Sequence, residues 1–387
     1  MNSYLNHYGT QDLRNLKQSI IKKIKSSELV TNGNYCIELE KKIRLLTKSK
    51  YCVVTNNGTS SLMMALLSLN LTNIVAIVPN INFVSISNII SILKGKILLC
   101  DVDPQTGMIN LECFKKIIKD CDKNKIKPNV FIPVHYAGNV VNLKDVTKIC
   151  KKRKIAVIED GCHSFGSYKQ YGKIKNYVGS NVHSMMTSFS FHPVKNITTL
   201  EGGAITTNTI SIYKKLLLLR SHSLKNTFNT DPYELKMHSL NFRLSEINAI
   251  IGLDQIKQIN FFKNKRNKIF KSYLKNLSYL SKYIKPLNQY DKNIFWHLFV
   301  IQFNRINIKL KSKFMKFLKK NKIGTQIHYK PLHMHKFYKK IILLNHHKNS
   351  DIFYKKSLSL PLHTRMNLKD VTKVAKVIKR FYKIHNV

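Results

Sequence analysis

Between residues 50 and 208, seven short runs rich in β-formers alternate with helical patterns. The runs are YCVV, IVAIVP, ILLCDV, NVFIPV, IAVIED, TSFSF and AITTN, and the segments between them include SSLMMALLSLNL and LKDVTKICKKRK. Continuous apolar strands are buried on both faces, and strands of this kind separated by helices build a mostly parallel sheet. The pattern predicts an α/β layer architecture whose ligands bind at the carboxyl ends of the strands. After residue 208 the period turns helical, with one long helix expected over 245–274, a strand in FWHLFVIQF, a helix in KSKFMKFLKKN and a last helix over 368–382. A boundary near residue 250 then separates a large domain, 1–250, from a smaller α+β domain, 251–387.

The charge is extreme: 66 Lys and Arg face 20 Asp and Glu, a formal +46. Such an excess first suggests nucleic acid or an anionic membrane. Its placement argues otherwise. Residues 251–387 hold only the acids Asp254, Asp291, Asp351 and Asp370, yet their lysines interleave with Ile, Leu, Phe and Tyr at helical spacing. These are amphipathic helices with lysine polar faces, and no helix-turn-helix, zinc-finger or RNP pattern accompanies them. No specific nucleic-acid partner is expected. The most apolar window, 74–100, is broken by Pro79, three asparagines and two lysines, so no membrane insertion is expected. The N-terminal MNSYLNHYGTQDL lacks a basic segment followed by an apolar core, and the seven cysteines form no CxxC pair. A cytoplasmic protein with reduced, buried thiols follows as the expectation.

Lys195 stands in SFSFHPVKNITTLEGGAITTN, after an alternating run that Pro193 stops and before a Gly-Gly turn. Its ammonium should emerge at a strand end, facing a cleft. Lysine condenses with carbonyls, and enzymes that use pyridoxal phosphate require one. In so basic a chain a surface lysine is the competing reading. Two further segments bear on the choice. TNNGTSSL follows a strand and opens a helix, so Gly58, Thr59 and Ser60 offer N–H and hydroxyl donors where an anion is favoured, although such turns also serve as plain caps. IAVIED ends in Glu159 and Asp160, followed by Gly161, Cys162 and His163. An acid at the end of an apolar strand needs a cation, such as a protonated pyridine nitrogen, unless it only caps the next helix. The histidine pairs His333/His335 and His346/His347 lack a neighbouring carboxylate cluster and read as a solvated face, so no metal is expected.

These segments resemble the DegT/DnrJ/EryC1/StrS family of aminotransferases. Ser190, Phe191, His192, Lys195, Thr198, Thr199, Glu201, Gly202 and Gly203 match its lysine segment, and Leu200 stands where the family has glycine. Glu159, Asp160 and His163 match its E-D-x-x-H motif. The resemblance implies PLP fold type I, a mostly parallel seven-stranded sheet domain with a smaller α+β domain, and a homodimer with shared active sites. It also implies pyridoxal 5'-phosphate bound to Lys195, Asp160 at the ring nitrogen, His163 beside the ring, Phe83 stacked on it, and the phosphate held by Gly58, Thr59, Ser60 and Ser190. Asn241, in NFRL, would reach the phosphate of the other subunit. Tyr8 and Thr31, within an N-terminal segment 1–35 that contributes to the substrate site, and His328, Tyr329 and Lys330 of IHYKPLH would contact substrate. The implied reaction passes an amino group from L-glutamate to a nucleotide-linked 4-keto-6-deoxy sugar. FHPVKNITT, PVHYAGN and IHYKPLH are most similar to the UDP-sugar branch acting in pseudaminic acid synthesis. GDP-perosamine synthase-like and other sugar aminotransferases remain alternatives, as do a PLP-binding regulator and a basic surface binder. Sugar dehydratases of the family carry histidine in place of the lysine, which Lys195 argues against.

Overall fold

The apolar runs become strands because each alternates its side chains between two buried faces. In the computed structural model, which describes residues 5–6, 32–225 and 234–385, these strands are β1 (Tyr51–Thr55), β2 (Val75–Pro79), β3 (Lys96–Cys100), β4 (Val130–Phe131) and β5 (Ala156–Asp160). A hairpin, β6 (Tyr168–Tyr171) and β7 (Ile174–Tyr177), precedes β8 (Met186–Ser190) and β9 (Gly203–Thr207). Two short pairs of residues, β10 (Leu224–Lys225) and β11 (Glu234–Leu235), form a ribbon. Next come β12 (Ile284–Pro286), β13 (Phe299–Phe303), β14 (Ile342–Asn345) and β15 (Ser357–Leu360).

The central sheet runs β1-β9-β8-β5-β4-β2-β3-β14, with β9 antiparallel to both neighbours and the other pairings parallel. On β2, Ala76 and Val78 enter one apolar cluster and Ile77 another, which is the double-faced burial the sequence implies. The seven expected strands are all present. An eighth, β14, corrects the strand count: residues 342–345 return from far along the chain to pair with β3. Its sequence, ILLN, has burial alternating between intermediate and exposed, as suits an edge strand.

The helix expected over 245–274 is two helices, Glu246–Lys257 and Ile259–Leu277. Gln258 breaks it, its N–H turning back to the Gln255 carbonyl at 3.1 Å. Neither glycine nor proline marks that position, so periodicity alone carries no sign of the break. Against Ile259–Leu277 lies an antiparallel sheet, β12-β13-β15. Its core is aromatic: Phe270 stacks on Trp296 with ring centres 4.2 Å apart, and Tyr273 on Phe299 at 4.4 Å. Phe299 is fully buried. Phe299→Ala leaves a cavity between two rings, and urea unfolding should register a loss of about 3–5 kcal/mol. Among the described residues no helix is long and apolar enough to cross a membrane. All seven cysteines are free; five are buried, whereas Cys113 and Cys162 are only partly so.

Candidate functional site

Four strands deliver their carboxyl ends to one place. β1 leads to Asn57 and Gly58, β2 to Asn82 and Phe83, β5 ends in Asp160 ahead of Cys162 and His163, and β8 ends in Ser190 ahead of Lys195. All of these residues line a cavity of about 340 Å³, together with Thr59, His328 and Tyr329. Lys195 is partly buried and turned to this cavity, and it is the only lysine lining it among the described residues.

The loop that presents Lys195 is closed by its own backbone. Phe191 N–H bonds the Gly202 carbonyl at 2.8 Å, Thr199 N–H bonds the Phe191 carbonyl at 2.9 Å, and Lys195 N–H bonds the His192 carbonyl at 2.9 Å. Leu200 adopts φ 68°, the left-handed region that glycine enters freely. The departure from the family's glycine thus carries a strain of roughly 1–2 kcal/mol. Gly203 packs so tightly that a Cβ would lie 2.6 Å from the Asn57 carbonyl oxygen. This contact sets β9 against the turn that starts the helix Gly58–Ser68.

At that helix start, Asn57 accepts the Ser60 N–H on its side chain at 2.8 Å and the Ser61 N–H on its carbonyl at 3.1 Å. Gly58 and Thr59 are left to offer their N–H groups to a ligand, and the helix dipole favours an anion there. A Cβ on Gly58 would sit 2.6 Å from Ser190 Cβ, so glycine lets the two segments meet. Ser60 is displaced from its expected role: it is buried, does not line the cavity, and its N–H is already taken by Asn57. The asparagine before Gly58 is readable as a cap, a signal the sequence reading passed over.

Asp160 and Glu159, adjacent on a strand, face opposite ways. Asp160 opens to the cavity, where its Oδ1 accepts the Cys162 N–H at 3.0 Å. Glu159 turns away to His135 Nε2 at 2.6 Å and also accepts the Ser184 hydroxyl. Burial lowers the Lys195 ammonium below its ordinary pKa of 10.5, while Cys162 and Asp160 pull it back up. A neutral amine is therefore more accessible than on a surface lysine.

His163 is buried, and burial, followed by Lys195 and His328, holds its pKa well below the ordinary 6.5. Its Nδ1 accepts the Ala137 N–H at 3.3 Å, so the proton of the neutral ring is on Nε2, which donates to the Tyr329 hydroxyl at 2.8 Å. Tyr329 keeps its own proton, since burial raises its pKa well above 10. Its ring lies 5.7 Å from Phe83, which is 54% exposed and so belongs to the cavity wall, not the core. His297 stands behind His163 with ring centres 4.5 Å apart. Nothing in the strand-like run FWHLFVIQF marks His297 for the site.

Among the remaining expected residues, Lys330 is exposed and does not line the cavity. Asn241 likewise lies outside the cavity of its own chain, exposed, with Oδ1 accepting the Arg243 N–H at 3.1 Å. Tyr8 and Thr31 fall outside the described residues. The assembled site offers an anion cradle, a carboxylate to face a cation, an amine of lowered basicity, and a neutral imidazole–phenol pair.

A UDP-4-amino-4,6-dideoxy-N-acetyl-beta-L-altrosamine transaminase from Campylobacter jejuni is 30% identical over 371 residues, 94% of each chain. The structure of Helicobacter pylori PseC, an aminotransferase involved in the biosynthesis of pseudoaminic acid, matches with a TM-score of 0.87 at 26% identity, covering 99% of this chain and 100% of that one. A putative sugar aminotransferase from Streptococcus pneumoniae in its PMP form shares the fold, with a TM-score of 0.85 at 22% identity over 97% of this chain and 99% of that one. The model of one family matches residues 11–379, and the chain belongs to that family, the DegT/DnrJ/EryC1/StrS aminotransferases.

Proposed function

We propose that this chain is a pyridoxal-phosphate-dependent aminotransferase that moves an amino group from L-glutamate to a nucleotide-linked 4-keto-6-deoxy sugar, UDP-linked as in the relatives' named reaction. The observation that carries this reading is that Lys195, Asp160 and the Gly58 helix start line one cavity. The donor set fits the coenzyme at three points: N–H groups and Ser190 for its phosphate, Asp160 for its ring nitrogen, and the Lys195 amine for its aldehyde. When bound, pyridoxal phosphate supplies a carbonyl that condenses with amines and a protonated ring that takes up electrons as a neighbouring C–H bond breaks.

The protein's own part follows from its residues. Gly58, Thr59 and Ser190 anchor the anionic end. The Asp160 carboxylate would keep a proton on the ring nitrogen, and Phe83 and His163 would pack against the ring from the cavity wall. His163 adds no charge, because its neutral form is enforced by burial. Lys195 Nζ would hold the coenzyme's aldehyde and, as a free amine, would take up and give back a proton at the reacting carbon. His328 and Tyr329 meet the sugar nucleotide at the cavity wall, with Lys330 at the rim and Tyr8 and Thr31 added from the N-terminal segment. Asn241 completes the phosphate site of a second subunit in a homodimer.

Purified protein should be yellow, its visible band should bleach on adding L-glutamate, and a UDP-linked 4-keto sugar should restore it. Stoichiometric conversion of that sugar to its amino derivative, compared across UDP-, GDP- and dTDP-keto sugars, identifies the substrate. A protein without a visible band, or with one that glutamate leaves unchanged, overturns the proposal.

A further inference from the structure

Away from this cavity, His333, His347 and Asp351 converge, each placing one metal-ligating atom within 4.8 Å of the other two. They come from two pieces of chain: the turn Leu332–Met334 and the start of the helix Lys348–Lys356, which His347 caps and whose first turn holds Asp351. His333 Nε2 lies 3.2 Å from Asp351 Oδ1 and His347 Nδ1 lies 3.2 Å from Asp351 Oδ2. The two imidazole rings stack with centres 4.6 Å apart. Asp351 lies one helical turn from His347, and folding brings His333 to the same carboxylate.

The hydrogen bonds around His333 decide which nitrogen faces the carboxylate with a lone pair. Asn80 Nδ2 donates to the His346 carbonyl at 3.0 Å, so Asn80 Oδ1 is an acceptor. His333 Nδ1, 3.1 Å from that oxygen, must donate to it. In the neutral ring Nε2 is then unprotonated. Opposite it, Asp351 Oδ1 is buried without a hydrogen-bond partner. Nε2 and this oxygen thus lie 3.2 Å apart with no hydrogen bond between them. A cation held between the two groups would use the lone pairs of both.

We propose that His333, His347 and Asp351 bind one divalent late first-row cation, of which Zn²⁺ is the natural occupant. Two imidazole nitrogens and one carboxylate oxygen suit such a metal better than Mg²⁺ or Ca²⁺, which take oxygen ligands. The Nδ1–H bond of His333 to Asn80 is the outer-shell contact that metal-bound histidines ordinarily make. Ligand atoms around tetrahedral zinc stand about 3.3 Å apart, given bonds of about 2.0–2.1 Å. Each nitrogen already stands 3.2 Å from one of the two Asp351 oxygens, and His347, with 46% of its side chain exposed, has room to rotate so that both share one of them. Water takes the remaining position. The cation clamps the chain that runs on from His328 and Tyr329 against the helix Lys348–Lys356, and its role is to hold that chain in place.

The test uses the full-length protein after dialysis against EDTA, titrated with Zn²⁺ alone by calorimetry and with Co²⁺ by visible absorption. Uptake of one zinc per chain is expected, with a rise in Tm and an intense Co²⁺ band of tetrahedral type. His347→Ala and Asp351→Asn should each weaken binding by at least about tenfold and cancel the rise in Tm. His347 is exposed, so its variant should keep the metal-free Tm and circular dichroism of the wild type. Equal zinc affinity in wild type and both variants would mean capture elsewhere on the chain, and no uptake at about 100 µM Zn²⁺ would mean that the histidines only pair with Asp351. Either result overturns the site.

Discussion

Lys195→Ala should lower kcat/KM by at least about a thousandfold, because one side chain is proposed both to hold the coenzyme and to carry the proton. No substitute is at hand: no other lysine lines the cavity among the described residues, and His163 and His297 are held neutral by burial with their rings packed against each other. The loop should survive the change, since its closing bonds at Phe191, Thr199 and Lys195 are all main chain. Borohydride should then trap no coenzyme on the chain, and an added small amine should restore part of the turnover by entering the vacated volume. Activity within tenfold of the wild type, or borohydride label mapped to another lysine, would remove the basis of the proposed function.

Asp160→Asn should lower kcat by about a hundredfold to ten-thousandfold while leaving the protein folded and yellow. The amide keeps the volume of the carboxyl group and an oxygen to accept the Cys162 N–H, so the change removes charge with little loss of packing. What is lost is the negative partner proposed to keep the ring nitrogen protonated. The half-reaction with glutamate, followed by stopped-flow absorption, should slow by the same factor as steady-state turnover. If binding of the coenzyme falls instead and the chemical step keeps its rate, Asp160 only anchors the coenzyme.

Much of this molecule is readable along the chain. The strands, their buried character and the clustering of chemistry after β5 and β8 follow from local composition, because a run of β-branched and apolar residues can satisfy a central strand and little else. Opposed orientations of Glu159 and Asp160 are implicit in the two-residue repeat of a strand. Three features are not readable in this way. β14 carries only a short apolar run, and its place beside β3 is a choice among distant partners. The break at Gln258 has no residue that enforces it. The Tyr329–His163 bond joins residues 166 positions apart.

Local sequence fixes the seven strands, the lysine loop and the acid at the strand end, since each depends on neighbours within a few residues. Long-range packing settles which way Phe83 faces, that Tyr329 meets His163, and that His333 meets Asp351. Those outcomes depend on packing between segments far apart in the chain, where the closest fit of side chains, and not the propensity of any one segment, selects the partner.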